Sequence, residues 1–118
     1  MRIIKRLFAP IVVGLACSAF VVFHHGWSNY DQDKVQDYTG TVQELTYENP
    51  HATAKVQHKK KTWTVILAPV TRMEARGVKE EMLKKGSSIR VVGYPHKEIK
   101  DEMRAERIYV NGEKFELR

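Results

Sequence analysis

Two Pro-His dipeptides, Pro50-His51 and Pro95-His96, and one pair, His24-His25, hold four of the five histidines of this protein. An imidazole presents a neutral nitrogen lone pair to a metal near neutral pH. A preceding proline fixes the local backbone and reduces the entropy lost in placing the ring. The single cysteine, Cys17, lies in an apolar N-terminal run, so the folded part carries no thiolate and no disulfide. Three or four imidazoles without sulfur suit copper(II), zinc or nickel. His24, His25, His51 and His96 are therefore the candidate metal ligands, with copper or zinc as the candidate cofactor. Among the aromatics that could form a platform beside them, Trp27, Tyr47 and Tyr94 are the candidate ligand contacts. The fifth histidine, His58, alternates with core positions beside Lys59-Lys60-Lys61 and reads as a strand-end residue.

Those histidines need a scaffold, and the periodicity supplies one. Asp37 to His51 is a β-prone run whose apolar positions, Val42, Leu45 and Tyr47, slip phase once, which predicts a bulge near Gln43-Glu44, with Gly40 permitting a second bend. Ala54, Val56 and His58 alternate in a second strand, and Trp63, Val65 and Leu67 in a third. Pro69 ends that strand. Thr71 and Glu74 have capping-box spacing for a short helix closed at Gly77, and Val78 to Lys85 gives another helical turn or two, ending at Gly86. Ile89 to Tyr94 and Met103 to Val110 are a fourth and fifth strand. Asn111-Gly112 marks a primed two-residue hairpin, which sets Val110 opposite Glu113 and Ile108 opposite Phe115. The fold class is mainly β: a small five-stranded OB-fold-like barrel with a short helical connection between strands 3 and 4, preceded by an N-terminal hydrophobic helix. In such a barrel the loops carrying His51 and His96 flank one binding face.

The N-terminus gives an address. Arg2, Lys5 and Arg6 precede an uncharged run from Leu7 to Phe23, the layout of a signal peptide or signal anchor. Residues 1–23 form that segment, 24–36 a linker containing His-His-Gly-Trp, and 37–118 the barrel domain. The basic end stays inside and the domain is exported, so the expected location is the periplasm, either soluble or anchored to the inner membrane through residues 1–23 if they stay uncleaved. Val21-Val22-Phe23 before His24 is a poor cleavage site. The net charge of +6 includes those three basic residues, which leaves the exported part at only +3. Modest charge and export together argue against nucleic acid as a partner, although OB-folds often bind it. Arg104, Glu106 and Arg107 suggest surface ion pairs to Glu74 and Arg76.

His24-His25-Gly26-Trp27, Glu48-Asn49-Pro50-His51, Arg72 to Gly77, Gly93-Tyr94-Pro95-His96 and Met103 to Ile108 together resemble a family of small exported bacterial proteins known only as a domain of unknown function. The resemblance spans residues 24 to 118, implies an exported location and brings no established activity. It usually has a small residue before the His-His pair, where this sequence has Phe23. No serine-histidine-acid order, glycine-rich phosphate loop or isolated carboxylate pair stands out, so the protein reads as a binding module and not as an enzyme. Its ligand is a divalent metal held by histidines on convergent loops or, alternatively, a peptide or envelope protein partner without metal. A metal-dependent enzyme is the third reading.

Overall fold

The computed structural model of the protein describes residues 26–118. Six strands form one sheet: β1 Gln36–Thr46, β2 Thr53–His58, β3 Lys61–Ile66, β4 Ser88–Pro95, β5 Glu102–Val110 and β6 Glu113–Glu116. They are hydrogen-bonded in the order β3-β2-β1-β4-β5-β6, and a parallel β3–β5 pairing closes the first five into a barrel. One short helix, α1 Val70–Ala75, and a 3-10 turn over Glu80–Leu83 connect β3 to β4.

The expected bulge is present, since the β1–β2 register shifts between Val42 and Glu44. Gly40 serves close packing, because a Cβ there would stand 2.5 Å from the Gln57 carbonyl oxygen. β1 stops at Thr46, so Tyr47 to His51 is loop, and the Asn49-Pro50 bond is cis. In the last hairpin, Asn111 and Gly112 have φ of 52° and 81°, as a primed turn requires. Val110 faces Glu113 and Ile108 faces Phe115, the anticipated register. Ile108, Val110, Phe115 and Leu117 are all buried.

Alternation fills the core. Ala54 and Val56 of β2, Trp63 and Val65 of β3, and Ile89 and Val91 of β4 point inward with Met73, Val78 and Leu83 from the helical connection. On β5 the buried phase changes from Met103 and Ala105 to Ile108 and Val110. The change coincides with a second bulge, where Val92 pairs with Arg107 and Gly93 with Ala105, so that Glu106 is the extra residue.

Two expectations fail. Helix α1 begins at Val70 with Pro69 as its N-cap and no side-chain cap bond, so the Thr71–Glu74 capping box does not form. Thr71 lies inside the helix and is exposed. Thr71→Ala should therefore change the unfolding free energy by less than about 0.5 kcal/mol in chemical denaturation, whereas a lost cap would cost about 1 kcal/mol. The ion pairs foreseen between helix and last strands are replaced by other contacts. Arg72 Nη1 donates to the Leu117 carbonyl and Arg76 Nη1 to that of Glu116, while Arg107 pairs with Glu116 and Arg118 with Glu106.

Candidate functional site

Residues 26–31, expected to be linker, form a strap across the barrel. Trp27–Asn29 is a 3-10 turn, and Tyr30 makes an isolated bridge with His96. The Asp31 amide donates to the Pro95 carbonyl and the Lys97 amide to that of Asn29. Buried Tyr30 fixes the strap by donating its hydroxyl to Glu102 Oε2 at 2.6 Å. Its pKa lies above the ordinary value, first through burial and then through Glu102.

Beneath the strap lies Arg104 of β5. It is only 8% exposed and is the one buried charged residue among the described residues. Its Cζ stands 4.4 Å from the centre of the Trp27 ring, and Arg118 Cζ stands 4.2 Å from that same centre. Tyr94 meets Trp27 edge-on with centroids 6.1 Å apart, and its hydroxyl donates to Glu106 Oε1 at 3.1 Å. Arg104 Nη2 approaches His51 Nε2 at 3.4 Å. A guanidinium can only donate, so Nε2 is the acceptor and the imidazole proton sits on Nδ1. Arg104 Nε is buried with no hydrogen-bond partner. Burial, followed by the nearby Arg72 and Arg118 guanidiniums, lowers the Arg104 pKa, and Tyr30 partly offsets this.

The same surroundings act on His51. Its pKa is below the ordinary 6.5, first by burial and then by Arg104 and Arg72. At a pH between the folded value and about 6.5, the unfolded protein holds a proton that the folded protein does not, so stability falls as pH falls through that window. Protonated Nε2 would also lose its role as acceptor for Arg104. His51→Gln should therefore flatten the dependence of Tm on pH between about 7 and 5. A slope equal to that of wild type would assign the titration to another group.

The structure thus brings His51, Trp27 and Tyr94 to one patch around Arg104. His96 has other neighbours: its ring packs edge-on against Tyr30 at 5.0 Å, and its Nδ1 accepts the backbone N–H groups of Glu98 and Ile99. Tyr47 turns to the helical connection, where its hydroxyl donates to the Val78 carbonyl at 2.6 Å. His58 packs against Tyr38 with the ring planes tilted by 33°, and its Nδ1 is 2.9 Å from the Thr39 carbonyl oxygen. His24 and His25 lie outside the described residues. Among the described residues no group of three or more His, Cys, Asp or Glu could hold a metal ion, and no helix is long and apolar enough to cross a membrane.

Sequence reasoning misses Arg104 as the centre of this patch. The available signal is an arginine between Met103 and Ala105, two small or apolar residues that go into the core. No curated protein matches the sequence. A family model does match, over residues 11–104, from within the N-terminal apolar run to the arginine at the centre of the site. The protein therefore belongs to DUF6152, a family of unknown function.

Proposed function

We propose that this protein is a non-enzymatic binding module, exported to the periplasm and either released there or held at the inner membrane by residues 1–23. Its ligand is a peptide or protein partner in the envelope, met by the patch of Trp27, His51 and Tyr94. The observation that carries this reading is their convergence on Arg104, because buried aromatics and arginine are the groups that anchor interfaces. The basic start and apolar run support export. The order β1-β2-β3-β5-β4 around the barrel supports the OB-fold-like reading, in which the loop after strand 1 borders the binding face. A divalent cation at His51 would meet the positive charge of Arg104 and Arg72, which favours the partner reading over the metal reading.

Photocrosslinking in cells tests this. A photoreactive residue at Asn49 or Gln32, both exposed beside the patch, should trap the same partner, while one at Lys60 should not. Identical adducts from all three positions, or none from the first two, would overturn the reading. So would titration with copper(II) or zinc if it revealed tight binding that the His51→Ala/His96→Ala double variant loses.

A further inference from the structure

The least satisfied group in the described structure is the guanidinium of Arg104. It is more than nine-tenths buried, its Nε has no partner, and its Nη2 has only the 3.4 Å contact to His51. A buried charge is costly unless an opposite charge compensates it. Among the described residues no carboxylate lies within ion-pairing distance of Arg104. The two acids nearest to it along β5 are engaged elsewhere: Glu102 accepts from Tyr30, and Glu106 accepts from Tyr94 and Arg118. Arg72 and Arg118 add positive charge around it. Arg118 already meets Glu106, and Arg72 donates to a neutral carbonyl, that of Leu117. Counted together, the guanidiniums of Arg72, Arg104 and Arg118 exceed the carboxylates of Glu102 and Glu106 by about one positive charge, which a carboxylate would balance and a phosphate dianion would overshoot.

We propose that the Nε–Nη2 edge of Arg104 binds a carboxylate, admitted past Trp27 and His51, and that the envelope partner is held through this group; the second clause rests on the function proposed above. The two N–H bonds of that edge are parallel and match the two oxygens of a planar carboxylate. Nε has nothing to give up, and Nη2 gives up only its long bond to His51. The covering residues, Trp27 on the strap and His51 on the β1–β2 loop, are both half-buried and so are reachable from solvent. Trp27 can keep its contact with Arg118, whose Cζ stands 4.2 Å from the ring centre, when the Nε–Nη2 edge of Arg104 is engaged. A carboxylate of this kind comes from an acidic side group or from the C-terminus of a polypeptide.

The test uses the full-length protein in nanodiscs and follows the Nε–H resonance of Arg104 by nitrogen-15 NMR, which needs no variant. Acetate should move that resonance saturably, while acetamide, its neutral analogue, should not. N-acetyl-alanine, with a terminal carboxylate, and N-acetyl-aspartate α-amide, with a side-chain carboxylate, then identify the source by which saturates at the lower concentration. Arg104→Lys, which keeps the charge and loses the edge, should weaken acetate at least about tenfold. The proposal fails if the resonance stays fixed up to about 50 mM acetate, well beyond the millimolar Kd of a weak small ligand. It also fails if acetamide acts equally, or if inorganic phosphate binds more tightly than any carboxylate. Saturation by acetate without partner adducts in cells would keep the site and remove the partner. Adducts that persist unchanged in Arg104→Lys would keep the partner and remove the site.

Discussion

Trp63→Ala should lower the unfolding free energy by about 3–5 kcal/mol, the loss expected when a large buried aromatic is truncated and the cavity only partly collapses. Trp63 is 7% exposed and sits in the middle of β3, paired with Val56 of β2. Its ring stacks on Tyr38 of β1, with centroids 6.0 Å apart and planes 18° from parallel. Lys61 Nζ covers its outer side, 3.8 Å from the centroid. The indole therefore joins β1 to β3 across β2. Urea denaturation followed by circular dichroism checks this, since removal of Trp63 alters the fluorescence signal itself. A loss below about 1 kcal/mol would place Trp63 outside the core.

The second large effect should come from one methyl group. A Cβ built on Gly93 would lie 2.1 Å from the Arg104 carbonyl oxygen and 2.8 Å from the Ala105 Cα. Both obstacles are backbone, so no rotamer change relieves them. β4 and β5 would have to separate at the bulge, where their pairing also positions Arg104. Gly93→Ala should cost about 3 kcal/mol or more, the upper range for overpacking, and should weaken the approach of Arg104 to His51 as well. Gly112→Ala is the control, because its φ of 81° disfavours alanine but nothing lies within 4 Å of the new Cβ. That change should cost only about 1–2 kcal/mol. Equal losses for the two variants, measured by thermal and chemical unfolding, would mean that β5 gives way easily.

Much of the barrel is legible in the sequence because its signals are local. Asn111-Gly112 dictates a two-residue turn, the turn dictates the register, and the register dictates which of Ile108, Val110, Phe115 and Leu117 share a face. The bulge in β1 is legible from the phase slip between Val42 and Leu45. The matching slip in β5 lies inside the charged run Arg104 to Arg107, where apolar alternation is interrupted and gives no warning. Thr71 misleads because spacing does not say where a helix starts: Pro69 takes the cap position and Thr71 falls beyond it.

The site is legible only in part, for a related reason. His51, Trp27 and Tyr94 carry conspicuous chemistry in short motifs, and the fold does bring them together. Arg104 reads from sequence as a surface ion-pair residue, because arginine in a strand is usually solvated and its burial depends on distant segments. His51 is 53 positions away from it, and Trp27 further still. His51 and His96 both follow proline, yet one loop delivers its ring to Arg104 and the other folds its ring back onto nearby backbone amides. A shared dipeptide does not specify a shared destination.

The strap has a consequence for the order in which this protein can be assembled. Gln32 accepts a hydrogen bond from Arg118, 86 positions later in the sequence, and Trp27 rests against Arg118 and Arg104. A polypeptide emerging N-terminus first therefore presents its strap long before the surface that receives it exists. Closing so long a loop costs only a few kcal/mol of entropy, but it makes the contact late and slow. Until β5 and the residues after it arrive, Trp27 lacks Arg104 and Arg118, and Tyr30 lacks Glu102. A truncation that removes residues 113–118 should accordingly leave a barrel able to form its β1–β4 and β3–β5 pairings while abolishing the strap's hold on Arg118. The patch around Arg104 would thus be completed last, by the portion of the sequence most distant from the strap.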